Sequence, residues 1–288
     1  MISRVNWLGY IQLTRLNRPV GTYLVLWPTL WALVLASNGL PSWELVVIFT
    51  LGALVMRSAG CVINDYADRH FDGHVSRTCN RPLATGVITE KQALSFFALL
   101  CLIGLGLVLL LNPLTIILSF GALGLAVLYP FMKRHTYWPQ AFLGAAFAWA
   151  IPMVFAAVQD TVPWQAWIVF ATIMVWALIY DTAYAVADKA DDLKIGVRST
   201  AILFGDKVLI WVGVFQIIMY GLLVWIGSLF ELGTLYQLSL MLILILFAKH
   251  LKLLAKKDPE LAFEAFLNNH WIGLILLMGT LADKLSNG

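Results

Sequence analysis

Nine apolar runs divide this chain, most of them long enough to cross a bilayer. They lie at about Val20–Ala36, Leu45–Ile63, Gln92–Leu111, Leu114–Phe131, Trp138–Val158, Trp164–Ala183, Val208–Phe230, Leu235–Ala248 and His270–Ala282. A backbone in hydrocarbon must satisfy its own hydrogen bonds, which restricts successive runs of this kind to helices. The predicted fold is all-α: a polytopic membrane protein with nine transmembrane helices. Composition agrees, since 61% of the 288 residues are hydrophobic and only 12% charged, against about a quarter charged in a soluble domain. Residues 1–18 read as a short interfacial helix with Arg4, Arg15 and Arg18 among apolar side chains. The first apolar run has no small-residue cleavage site of a secretory signal after it. The net charge of +3 gives no basis for a nucleic-acid partner, and the three cysteines have neither metal-ligand spacing nor the density of a disulfide framework.

The basic residues orient the bundle. Of the nineteen Lys and Arg, all but Arg57 and Lys284 fall in the N-terminal segment or in every second connection. The alternate connections carry Glu44, Asp160 and Glu231. By the positive-inside rule the N-terminus and the basic connections are cytoplasmic. The expected location is thus a plasma membrane, multi-pass, with the lipid bilayer as the chain's first partner.

Two of those cytoplasmic connections are long and acidic. Asn64, Asp68 and Asp72 recur at four-residue spacing directly after the second span, and Tyr184, Asp188 and Asp192 do so after the sixth. If helix continued through them, each set would stack on one face. Carboxylates so crowded repel unless a cation or protons sit among them. Bases follow both sets: Arg77 and Arg81 the first, Lys194 and Arg198 the second. One isolated set reads best as a solvated helix end. Two sets about 120 residues apart read as an internal repeat forming one composite site. The halves correspond at about 45–134 and 165–254, within a single domain spanning 1–288. Clustered carboxylates suit a hard cation such as Mg²⁺, which is usually shared with substrate phosphates. Two facing sets suit two ions bridged by a diphosphate, with Arg and Lys completing the clamp. A charged site over an apolar bundle suits a substrate with a charged head and a long apolar tail. Ionisation of an allylic diphosphate is the reaction such a site favours.

Two ionisable residues lie deeper. Arg57 precedes Asn64 by seven residues, and Asp181 precedes Asp188 by seven. Groups at that depth are costly unless paired or facing a polar cavity. They read either as a buried pair fixing helix packing or as the lining of a cavity beneath the acids. The five histidines show no ligand spacing, and Phe96, Phe97 and Phe120 read as packing or lipid-facing side chains.

The strings Asn64-Asp65-x-x-Asp68-x-x-x-Asp72, Asp188-x-x-x-Asp192 and Tyr129-x-x-x-Lys133 together resemble the UbiA superfamily of intramembrane aromatic prenyltransferases. The longer strings Asp68-Arg69-x-Phe71-Asp72-x-x-Val75-x-Arg77-Thr78-x-x-Arg81-Pro82-Leu83 and Asp181-Thr182-x-Tyr184-Ala185 narrow the likeness. With Lys194-Ile195-Gly196-Val197-x-Ser199-Thr200 they resemble its bacterial branch acting on 4-hydroxybenzoate in ubiquinone biosynthesis. The resemblance implies a helical bundle around a central cavity, open to the cytoplasmic side and sideways to lipid, in a bacterial inner membrane. It implies polyprenyl diphosphate and 4-hydroxybenzoate as substrates. Asn64, Asp68, Asp72, Asp188 and Asp192 would serve two Mg²⁺ ions and the diphosphate. Lys133 and Arg134 would contact diphosphate, with Arg77 and Arg198 as further candidates; Tyr129, Tyr184 and Lys194 belong to the matching motifs. A carboxylate entering an apolar cavity needs a cation, so Arg57 or Arg134 would meet the benzoate. Asp181 is the candidate to take the phenol or ring proton. Repeated halves and intramembrane charges also fit a secondary transporter, although its polar groups should sit near the midplane; the other alternative is a branch of the same superfamily with another aromatic acceptor.

Overall fold

The computed structural model describes residues 6–37, 39–70, 72–74 and 78–287. The described residues are helical with short connections. Helix α1 (Trp7–Leu13) precedes α2 (Val20–Ala36) and α3 (Trp43–Asp68). Then come α4 (Glu90–Val108), α5 (Pro113–Met132), α6 (Pro139–Ala148), α7 (Ala150–Gln159) and α8 (Trp164–Ile195). The chain ends with α9 (Thr200–Phe204), α10 (Val208–Leu229), α11 (Thr234–Ala255), α12 (Pro259–Asn268) and α13 (His270–Asn287). Eight helical segments among the described residues are long and apolar enough to cross a bilayer, and α2 is a shorter apolar helix beside them. All nine predicted spans are therefore helical.

Local chemistry sets the starts. Ser42 accepts a hydrogen bond from the Leu45 amide to open α3, and Thr89 and Gln92 form a reciprocal capping box at α4. Asn112 caps α5, with Pro113 in the first turn where its missing N–H costs nothing. Pro152 explains why the fifth span is two helices. A proline ring clashes with the carbonyl four residues earlier, and the break falls at Trp149, between α6 and α7.

The helices form a ring. α2 packs on α3, α3 on α4, α6 and α10 on α8, α11 on α13, and α13 returns to α2. α8 anchors the largest core, where Trp176 and Tyr180 are fully buried. Buried polar groups pin neighbours together: Trp31 Nε1 donates to Thr280 Oγ1 at 2.8 Å, and Trp176 Nε1 to Asn269 Oδ1 at 3.2 Å. Large apolar side chains such as Leu102, Ile117, Ile217 and Ile245 face outward, as a lipid-facing surface requires. α1 lies over a smaller core of Leu13, Val62, Ile88 and Ala93 and exposes Trp7 and Leu8.

Three boundaries differ from the sequence reading. The second acid set is not in a loop: α8 continues through Tyr184, Asp188 and Asp192 and stops at Gly196, whose left-handed φ of 71° closes it. Four-residue acid spacing is compatible with helix, and no breaker intervenes. The first set is split. Asn64 and Asp68 share the last turns of α3, whereas Asp72 opens a short 3₁₀ turn, Asp72–His74. Thr78 Oγ1 donates to the Asp72 carbonyl at 2.9 Å, and Arg81 grips its carboxylate, so tertiary bonds carry this residue off the helix. The acids thus sit on helix extensions and one turn, not in the two predicted loops. The third difference lies in the last spans, where α11 reaches Ala255 and the separate helix α12 precedes α13.

Candidate active site

The acids converge at the end of the bundle that carries the basic residues. Asp68 is buried at the end of α3, and Lys133, just past α5, reaches its Oδ2 at 2.5 Å. Arg134 Nη2 lies 3.9 Å from Asp68 Oδ1 and donates to the Ala67 carbonyl. Asp72, also buried, takes Arg81 Nη1 at 2.9 Å on Oδ1 and 2.8 Å on Oδ2. Arg81 Nη1 is also 3.2 Å from Asp65 Oδ1, and that same oxygen accepts Arg15 Nη2 at 2.6 Å. Burial pushes the Asp72 carboxyl above the usual carboxylate range; Arg81 opposes this, while Asp68 and Asp65 add to it. Burial works against the Arg81 charge, but Asp65, Asp72 and Tyr184 outweigh it and hold the guanidinium above the ordinary arginine value.

The second acid set faces the first. Asp192 on α8 feels the charges of Asp188, Lys133 and Asp68, and Asp181 those of Arg57, Asp188, Asp192 and Lys133. Lys133 is therefore the cation between the sets. Tyr184 packs edge-on against Phe263 and Phe266 of α12, which steadies this face of α8. Two predicted cations turn elsewhere. Lys194 pairs with Asp191 at 2.9 Å on an exposed face. Arg198 donates to the His135 carbonyl at 2.8 Å and stacks over Tyr137. Arg77 lies outside the described residues.

Among the described residues no three His, Cys, Asp or Glu side chains stand close enough to share one ion. The donor set nonetheless fits a hard divalent cation: it is all oxygen, and the Oδ1 of buried Asp68 accepts no hydrogen bond. Lys133 and Arg81 supply the positive charge that such an ion would otherwise bring.

Beneath the acids is an apolar cavity of about 630 Å³ lined from α2 through α7. Its polar end holds Arg57, Gly60 and Tyr129, with Tyr129 donating to the Gly60 carbonyl at 3.2 Å. Phe97 and Phe120, read from sequence as packing or lipid-facing, line it together with Phe147 and Met153. Leu102 and Phe120 are lining residues that are also exposed, so the cavity opens sideways between α4 and α5. Arg57 makes no ion pair among the described residues; it lies 5.5 Å from the Phe147 ring centroid, and its Nε has no hydrogen-bond partner. It lies within electrostatic reach of Asp181, Tyr129 and Tyr180. Arg57 lines the cavity, whereas Asp181 is not among its lining residues and lies within electrostatic reach of Arg57.

The sequence model of the UbiA prenyltransferase family matches residues 25–273. The chain belongs to that family. A 4-hydroxybenzoate octaprenyltransferase from Hydrogenovibrio crunogenus is 63% identical over 285 residues, covering 99% of this chain and all of the relative. One of the same name from Hahella chejuensis is 55% identical, over 96% of this chain and 92% of the relative. Among solved structures, the UbiA homologue from Aeropyrum pernix superposes with a TM-score of 0.80 at 21% identity, covering 91% of this chain and 97% of its own. The UbiA homologue from Archaeoglobus fulgidus bound to GPP and Mg²⁺ gives 0.72 at 18% identity, covering 95% and 99%. The fold is thus shared with both solved structures.

Sequence reasoning missed Asp65, Arg15 and Gly21. Asp65 stands within the recognised motif, but its partner lies fifty residues upstream and no periodicity links them. Gly21 leaves the space that Arg57 fills: a Cβ there would lie 2.8 Å from Arg57 Nε and 2.9 Å from Cζ.

Proposed function

We propose that this protein transfers a polyprenyl group from polyprenyl diphosphate to the ring carbon ortho to the hydroxyl of 4-hydroxybenzoate. The product is 3-polyprenyl-4-hydroxybenzoate, an intermediate of ubiquinone biosynthesis. The observation that carries this reading is the convergence of two distant acid segments on Lys133, over an apolar cavity with Arg57 at its polar end. Relatives at 63% and 55% identity carry this activity in their names, and those names make an eight-unit prenyl chain the expected donor. The Archaeoglobus homologue with GPP and Mg²⁺ supports a metal-dependent diphosphate site.

In this reading Asn64, Asp68, Asp72, Asp188 and Asp192 would hold two Mg²⁺ ions, which would supply charge stabilisation to the departing diphosphate. Lys133, Arg134 and Arg81 lie close enough to add their own charge to that headgroup. The bond from C1 of the prenyl chain to the diphosphate oxygen breaks, and the leaving group keeps the electron pair. Phe97, Phe120, Phe147 and Tyr129 exclude water from the electron-poor C1. The ring carbon ortho to the phenol attacks C1, and its proton passes to a base, the role this reading gives to Asp181. Arg57 pairs with the benzoate carboxylate; Arg134 is already engaged by Ala67 and Asp68. The basic end and the N-terminus face the cytoplasm of a bacterial inner membrane, as the positive-inside rule requires.

The test is purified protein in lipid vesicles with radiolabelled 4-hydroxybenzoate and octaprenyl diphosphate, with and without Mg²⁺. A labelled lipid that forms only with Mg²⁺ and donor is the expected result. Labelled acid accumulating inside vesicles without a lipid product would replace the reading with transport.

A further inference from the structure

Asp65 has no place in the chemistry above, yet it is the most deeply buried acid of the motif, at 0% exposure. A buried carboxylate is costly unless compensated, and Asp65 is compensated twice, by Arg15 at 2.6 Å and Arg81 at 3.2 Å. Arg81 is itself divided between Asp65 and Asp72. Four charges therefore alternate in a row: Arg15, Asp65, Arg81, Asp72. Two atoms in the row lack hydrogen bonds although buried, the acceptor Asp65 Oδ2 and the donor Arg81 Nε. Such orphans are uncommon in native interiors. Here they belong to side chains already in contact, so a small shift of Arg81 toward Asp65 can satisfy both. Arg15 holds a left-handed backbone conformation with φ 59°, unusual for a residue other than glycine. That strained turn after α1 aims its guanidinium at Asp65.

We propose that Asp65 is a positioning residue that draws Arg81 off Asp72 when a divalent ion arrives. A cation on Asp72 repels the Arg81 guanidinium lying 2.8 Å away. Asp65 is the carboxylate within reach to receive it. Arg15 sets how strongly Asp65 pulls, by neutralising part of its charge. The inference rests on the reading of Asp72 as a metal ligand, but not on the identity of the aromatic acceptor.

The test is Mn²⁺ binding to the purified full chain in detergent, followed by electron paramagnetic resonance without donor or acceptor. Asp65→Asn leaves Arg81 committed to Asp72, and Mn²⁺ affinity falls about tenfold, the scale of one charged hydrogen bond. Arg15→Met leaves Asp65 with Arg81 as its one remaining partner of the two; Asp65 draws Arg81 more strongly and affinity rises severalfold. Arg15→Lys keeps affinity near that of the parent. A merely structural role would lower affinity in both variants together with thermal stability. Affinity moving in the same direction in Asp65→Asn and Arg15→Met, or unchanged in both, overturns the proposal. If Asp65→Asn does not fold, Arg15→Met decides alone: a rise supports the proposal, and a fall or no change overturns it. Loss of turnover on 4-hydroxybenzoate with this Mn²⁺ pattern intact would instead count against the proposed acceptor.

Discussion

Gly21→Ala tests the aromatic-acid site without removing any charged group. The added Cβ would stand 2.8 Å from Arg57 Nε and 2.9 Å from Cζ, where an ordinary carbon contact is about 3.5 Å or more. The Arg57 Nη2 would be closer still, so the guanidinium must retreat by about 1 Å. Among the described residues Arg57 makes no ion pair that would resist this movement, and it lies 5.5 Å from the Phe147 ring centroid. Two stability effects oppose each other. Replacing a helical glycine with alanine gains about 1 kcal/mol, and overpacking costs about 1–3 kcal/mol. The net change is about 0–2 kcal/mol unfavourable, small enough to leave a folded enzyme. A displacement approaching 1 Å at a binding group can cost about a hundredfold in rate. The KM for 4-hydroxybenzoate should therefore rise about ten- to a hundredfold, while that for the prenyl donor stays within about twofold. Steady-state assays varying each substrate in turn measure this. Gly213→Ala in α10, where the new methyl meets nothing within 4 Å, is the control and should leave both constants unchanged. An unchanged aromatic-acid KM in Gly21→Ala would refute Arg57 as the partner of the benzoate carboxylate.

Arg57→Ala should raise the same KM far more than the donor KM; equal effects would reject that role. Lys133→Met removes the cation 2.5 Å from buried Asp68 and should cost about 1–3 kcal/mol in Mg²⁺-free buffer, at the low end of buried-pair losses because Lys133 is partly exposed. Added Mg²⁺ should raise the melting temperature of that variant more than that of the parent; equal shifts would separate Lys133 from the metal site. Asp181→Asn should lower kcat by about 10²–10⁴ with the donor KM unchanged, and near-normal turnover would remove Asp181 as the base. The carboxyl of Asp72 is raised above its ordinary value, so its protonated form is favoured by folding. Its contribution to stability is present below the ordinary carboxylate pKa and is lost as pH rises through the raised value. Protons therefore compete with metal there, and the Mg²⁺ concentration for half-maximal activity should rise on acidification; a flat dependence between pH 7 and about pH 5 would contradict this.

Hydropathy and charge asymmetry made the spans legible, because long apolar helices and basic connections follow from the solvent each segment meets. The spacing of Asp68, Asp188 and Asp192 made the acids legible for the same local reason. What lay beyond sequence was partner choice. Asp191 captures Lys194 and the connection after α5 captures Arg198, because helix rotation and loop path decide which charges meet. The end of α3 at Asp68 was hidden too. It depends on bonds to Asp72 from Arg81 and Thr78, which no helical periodicity encodes.

The gap between α4 and α5 bears on how a long tail is accommodated. Along α3 the cavity runs from Gly60 to Ile48, roughly 18 Å at the helical rise. A chain of eight isoprene units in extended form is longer than that. For the eight-unit donor proposed above, the far units would leave through the gap and mix with acyl chains, so that the protein would recognise the head and the first few units and the membrane would dissolve the rest. Enlarging or narrowing the deep end should then alter turnover of short donors more than of long ones. The finished lipid can slip away in the plane of the sheet without its tail ever meeting water.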